Sequence, residues 1–159
     1  MTKGDIIPTI ISHLRALLDA GTQAARATTA AATDPDSKAE NKYDTRNLEA
    51  SYLARGQAFR VAETMEALHE FSSLPPRSFG PGDAIGEGAL VSVEGSWGTD
   101  HYFIGPAAGG TEVTIDGTTV TVLTIASPLG AKLLRRRAGE QFELQPGRPA
   151  TRVTIRAVQ

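Results

Sequence analysis

The sequence predicts an α+β protein: an N-terminal antiparallel α-helical coiled-coil hairpin followed by an antiparallel sheet that carries one helix. Three observations predict it. Residues 1–72 are rich in Ala, Leu and Glu, with apolar positions stepping by threes and fours. Residues 87–159 hold most of the Gly and Val and break into short alternating runs. Between them, 73–86 collects Pro75, Pro76, Gly80, Pro81, Gly82 and Gly86, a composition that cannot continue a helix and reads as a linker.

The first helix is expected to start near Asp5, a good N-cap residue, with Pro8 tolerated because its missing N–H falls in the first turn. Ile7, Ile10, Leu14, Leu17, Gly21, Ala24, Thr28 and Ala31 then follow coiled-coil spacing. That seam tapers from large residues to small. Two helix starts follow: Asp34-Pro35 puts Pro at the first helical position, and Ser37 with Glu40 makes a capping box. Beyond them Ala54, Ala58, Val61, Met65 and Leu68 form a second seam, widened by Leu48, Tyr52, Phe59 and Ala62. Paired antiparallel, its large residues meet Ile10, Leu14 and Leu17 and its small ones face Ala24, which favours a hairpin within one chain with arms of about 45 Å. Two helices of an ordinary bundle, or a dimeric coil, are the alternatives.

Strands are expected at 89–94, 101–104, 112–115 and 119–125. The turns between them are Gly95-Ser96-Trp97-Gly98, Gly105 to Gly110, and Asp116-Gly117, the last a two-residue hairpin signal. Ser127-Pro128 then supplies an N-cap followed by Pro at N1, Leu129 to Arg136 two turns of helix, and Gly139 a C-cap. Strands at 141–144 and 152–158 complete the sheet.

A formal charge of −2 argues against bulk electrostatic binding of nucleic acid, and the absence of Cys excludes disulfides, thiolate catalysis and Cys-ligated zinc. No secretory leader pattern and no apolar run near 20 residues is present, so a cytoplasmic protein without membrane contact is expected. His13, His69 and His101 stand alone, and Gly95-Ser96-Trp97-Gly98 is not a nucleophile elbow. Gly105 to Gly110 lacks the Lys-Ser/Thr ending and following helix of a phosphate loop. Arg135-Arg136-Arg137 falls at a helix C-terminus, where cations are favourable anyway; an interface to an acidic or RNA partner is the other reading. The acids carry the main chemical expectation. Asp36, Glu40 and Asp44, spaced by four, share one helical face beside Asp34 and can form part of a coordination shell for a hard divalent ion. A solvated helix start whose acids complement the dipole is the plainer reading.

The run Ser127-Pro128-Leu129-Gly130-Ala131-Lys132-Leu133-Leu134-Arg135-Arg136-Arg137-Ala138-Gly139-Glu140-Gln141-Phe142-Glu143-Leu144 closely resembles the C-terminal signature of the GreA/GreB family of bacterial transcription elongation factors. That pattern is Ser-Pro-Leu/Ile-Gly, two residues, two Leu-like residues, a basic stretch, Gly-Asp/Glu and an alternating strand. Arg135 stands where the family often has Gly after the paired Leu. The resemblance implies an FKBP-like C-terminal domain that docks on bacterial RNA polymerase at the rim of its secondary channel. Ser127, Pro128, Leu129, Gly130, Arg135, Arg136 and Arg137 are the docking residues it points to. It further implies a hairpin that reaches down the channel, where Asp36, Glu40 and Asp44 support cleavage of backtracked RNA. Asp36 and Glu40 would there help hold the polymerase's own Mg²⁺ near the RNA 3′ end, with no cofactor and no stand-alone active site belonging to this chain.

At the tip the family pattern is close to Asp-Leu-x-Glu-Asn-x-Glu-Tyr, and the window here reads Asp36-Ser37-Lys38-Ala39-Glu40-Asn41-Lys42-Tyr43. The Asp, the Glu-Asn pair and the Tyr are present, but Glu40 stands four residues after Asp36 instead of three and Lys42 replaces the later Glu. A non-catalytic homologue that occupies the same channel and modulates or inhibits transcription is therefore the second reading. A peptidyl-prolyl isomerase is a third, suggested by the fold alone; it would need an aromatic-lined pocket from Phe79, Trp97, Tyr102, Phe103 and Phe142. A monomer is expected.

Overall fold

A computed structural model describes residues 3–33, 46–80, 82–144 and 151–159. The chain divides into a helical unit, Ser12–His69, and a sheet unit that joins Met1–Ile11 to Glu70–Gln159. It is an α+β protein.

Helix α1 spans Ile6–Thr33 and α2 spans Arg46–Ser73, 28 residues each. In the helical unit they lie side by side. A Cβ added to Gly21 would stand 3.2 Å from Val61 Cγ2, and small residues leave a groove of about 380 Å³ lined by Thr22, Ala25, Arg26, Thr29, Ala58 and Val61. The less exposed stripe of α1 runs through Leu14, Leu18, Gly21, Ala25 and Thr28, and that of α2 through Ala54, Gln57, Val61, Thr64 and Leu68. Every second position therefore differs from the periodicity expectation by one residue. Leu17 is 47% exposed and Met65 56%, while Leu18 and Thr64 turn inward. Hydroxyls at such positions are satisfied locally: Thr22 donates to the Leu18 carbonyl at 2.7 Å and Thr64 to that of Arg60 at 2.8 Å.

In the sheet unit six strands run β1 Leu90–Gly95, β2 Gly98–Ile104, β3 Glu112–Ile115, β4 Thr118–Leu123, β5 Gln141–Glu143 and β6 Arg152–Val158. Their order in the sheet is β3-β4-β2-β1-β6-β5. The sheet is mixed, which corrects the antiparallel expectation: β2 and β4 pair in parallel, His101 beside Val120 through Ile104 beside Leu123. The cause is the connection 105–111. It carries β3 to the far side of an open slot, and the two-residue turn Asp116-Gly117, with φ of 49° and 75°, folds β4 back into that slot.

Both faces of the sheet are covered. On one, Val91, Val93, Ile104, Phe142, Val153 and Ile155 pack with Ile85 and Leu133. Each fully buried aliphatic side chain in this cluster contributes roughly 1.5–3 kcal/mol. On the other, Phe71 near the end of α2 meets Phe103 with ring centroids 6.3 Å apart, and its ring lies over Gly105 beside Val122. Ile6 and Ile10 at the start of α1 are also fully buried. Ile85 pairs with the chain after the third helix, its N–H donating to the Arg136 carbonyl at 2.8 Å and its carbonyl accepting from the Arg135 N–H at 2.9 Å.

Candidate functional site

Two candidate sites came from the sequence. Asp34, Asp36, Glu40 and Asp44 lie outside the described residues, as do both predicted starts of the second helix. Among the described residues no group of three His, Asp or Glu side chains could hold a metal ion.

The second candidate is the segment that begins at Ser127. Here α3 spans Pro128–Leu133 and ends at the cap residue Leu134, a turn earlier than the spacing predicted. Ser127 holds extended backbone, and its Oγ accepts the Gly130 N–H at 3.1 Å while donating to the Thr124 carbonyl at 2.8 Å. It is an N-cap that also ties the helix to the end of β4. Pro128 at N1 costs no hydrogen bond and stays exposed. Gly130 is required by packing, because a Cβ there would run into the carbonyl of Thr124. Leu133 fills the core and Leu129 packs at its edge.

The end of the helix explains the basic run. Arg135 has φ of 65°, a left-handed conformation that L-residues adopt at a cost, so it occupies the backbone geometry for which Gly is best suited. Gly139, with φ of 88°, is not the helix cap; its N–H joins β6 by donating to the Ile155 carbonyl at 2.8 Å. Arg136 is held in place. Its Nε donates to the Lys132 carbonyl at 2.7 Å, its guanidinium pairs with Glu140 at 3.3 Å, and it sits 5.0 Å from the Phe142 ring centroid. Lys132 Nζ caps the carbonyls of Glu143 and Leu144 at 3.1 and 2.6 Å.

The arrangement therefore sorts the seven predicted docking residues. Ser127, Gly130 and Arg136 have architectural work that accounts for their identities. Pro128, Arg135 and Arg137 are exposed and Leu129 half-buried, so these four leave apolar carbon and two cationic side chains at the surface. Such a surface fits an acidic, partly apolar protein face.

One cluster was not singled out by spacing. Trp97 in the β1–β2 turn lies flat over Gly95 and donates its indole N–H to Asp100 at 2.8 Å; Tyr102 donates its hydroxyl to the same oxygen at 3.2 Å. Burial first, and then the Asp100 carboxylate, push the Tyr102 hydroxyl up to about 12. A Trp two residues after a hairpin Gly, with an acid three positions further on, is the sequence signal for it. His101 Nδ1 lies 3.0 Å from the Ser92 hydroxyl. Of the aromatics weighed for a prolyl pocket, Phe103 and Phe142 are buried and Tyr102 packs on the core. A polar cavity of about 470 Å³ lined by Arg77, Ser78, Phe79, Asp83, Ala84 and Gly86 has one aromatic wall, which does not make an aromatic-lined site.

No protein-family model and no curated protein matches the chain. Solved structures similar to it are transcription factors of the Gre type. The GreA factor homolog 1 (Gfh1) protein of Thermus thermophilus is 20% identical, covering 94% of this chain and 94% of that one, with a TM-score of 0.37. Gfh1 of Thermus aquaticus is 17% identical over 93% and 92% of the two chains, TM-score 0.38. The elongation factor GreA/GreB from Nitrosomonas europaea is 17% identical over 74% and 95%, TM-score 0.36.

Proposed function

We propose that this chain is a Gre-type transcription factor that binds bacterial RNA polymerase at its secondary channel and stimulates cleavage of backtracked RNA. Residues 1–72 act as an antiparallel coiled-coil hairpin, 73–86 as the linker, and 87–159 as an FKBP-like docking domain. The observation that carries the reading is the segment Ser127 to Leu144. Its sequence resembles the family signature over eighteen consecutive positions. The left-handed backbone falls at Arg135, the position after the paired Leu where the family often has Gly. Gly is the residue that this conformation suits best.

In this reading Pro128, Leu129, Arg135 and Arg137 meet the polymerase, and Ser127, Gly130 and Arg136 hold them in place. Asp36, Glu40 and Asp44 act at the far end of the hairpin, where Asp36 and Glu40 would share the polymerase's Mg²⁺. Carboxylates serve there because a hard cation takes anionic oxygen ligands.

The test is to add the protein to stalled, backtracked elongation complexes and measure RNA length. Wild type shortens the transcript; Asp36→Asn and Glu40→Gln abolish shortening while polymerase binding stays, with Asp44→Asn made beside them. Shortening that survives all three substitutions overturns the role of the tip. The spacing of Glu40 and the presence of Lys42 favour a second reading, a channel-binding homologue without cleavage. It is the correct one if wild type alters transcription and never shortens RNA.

A further inference from the structure

Helix α2 carries a second seam, facing away from the first. Tyr52, Arg55, Phe59, Ala62, Glu66 and His69 follow one another at spacings of three, four, three, four and three, and all six are exposed, Tyr52 by 65% and Phe59 by 64%. The stripe Ala54, Gln57, Val61, Thr64 and Leu68, which turns inward, lies on the opposite side of the same helix. Alternating steps of three and four are the pattern by which two helices pack along a seam.

The order of residue types in this seam is complementary to its own reverse. When two copies of α2 are set antiparallel about a two-fold axis between Arg60 and Val61, Phe59 falls opposite Ala62 of the second copy, a large side chain on a small one. Arg55 falls opposite Glu66 and Tyr52 opposite His69, and each match occurs twice because the interface is isologous. A parallel arrangement would instead set Arg55 on Arg55 and Glu66 on Glu66, which like charges disfavour. Charge thus selects both the partner and its direction.

We propose that the outer seam of α2, from Tyr52 to His69, is a self-association surface through which two copies of this chain pair antiparallel. The seam extends about 25 Å along the helix at 1.5 Å per residue, and so small an interface gives a dimer weaker than about 1 µM. It adds a concentration-dependent state to the monomer expected from the sequence and does not depend on the activity proposed above.

Sedimentation of the full chain from roughly 5 to 500 µM tests it, because association this weak appears only toward the upper end. The expected result is a reversible monomer–dimer equilibrium that weakens with added salt. Arg55→Glu and Glu66→Arg should each weaken the dimer by about tenfold or more, and the double variant, with the pair restored in reverse, should return to within about threefold of wild type. The two positions are eleven residues apart on one helix, too far for an intrahelical pair, so rescue reports contact between copies. Phe59→Ala should weaken association by about tenfold as well, with helix content by circular dichroism confirming that each variant folds. A chain that stays monomeric throughout, a dimer indifferent to both charge reversals, or a double variant that fails to recover would each overturn the proposal.

Discussion

Arg135 is predicted to be held in a conformation that its own side chain disfavours, and replacing it with glycine should stabilise the protein. Its φ of 65° places it in the left-handed region, where Cβ crowds the carbonyl oxygen at a cost of roughly 1–2 kcal/mol. Arg135→Gly removes that cost but loosens the unfolded chain, which gives back about 0.5–1 kcal/mol. The balance is a gain of about 0.5–1 kcal/mol. In a unit of about 100 residues this raises Tm by roughly 3–6 °C. Arg135→Ala is the control, since it removes the guanidinium and keeps Cβ; it should stay within about 0.5 kcal/mol of wild type. Scanning calorimetry on the three proteins decides the matter, and Arg135→Gly melting no higher than Arg135→Ala would refute the strain argument. A residue kept at a cost to the fold suggests use. On the proposed function, Arg135→Gly should therefore compete less well with wild type for RNA polymerase although it is the more stable protein.

Gln57 turns inward in the helical unit, and its Oε1 is buried without a hydrogen-bond partner among the described residues. Gln57→Leu should raise stability by about 1 kcal/mol, read as a higher urea midpoint of helix unfolding; a lower midpoint would mean that the amide is needed there. Tyr102 should remain protonated well into the alkaline range. Its folded value of about 12 lies above the ordinary 10.0, so its contribution to stability is complete below pH 10 and is lost as pH rises toward 12. Asp100→Asn should move the tyrosinate absorbance midpoint down but not to the ordinary value, because burial is the larger cause.

How much of this was legible beforehand depends on how local the physics is. Asp116-Gly117, the Ser127 cap and Pro128 are decided by one or two backbone angles, and those residue types announce the angles. The parallel pairing of β2 with β4 has no such announcement, because a buried strand alternates in the same way beside either neighbour. The left-handed turn at Arg135 was hidden for the opposite reason: its usual marker, Gly, is missing. In the helices the difficulty was contrast. Ala on every face of α1 leaves periodicity little to rank; hydrophobicity ranked Met65 above Thr64, and the three-four spacing alone chose Leu17 over Leu18 as the inward position. The structure chose otherwise. Close approach of two backbones favours small residues in contact, as at Gly21 against Val61, and a Thr whose hydroxyl bonds back to its own helix fits such a place without an unsatisfied group. Large apolar residues that are not admitted to that narrow contact must then lie outside it. That is why Tyr52 and Phe59, which widened the predicted seam, stand on a face of their own, with the base Arg55 between them and the acid Glu66 beyond.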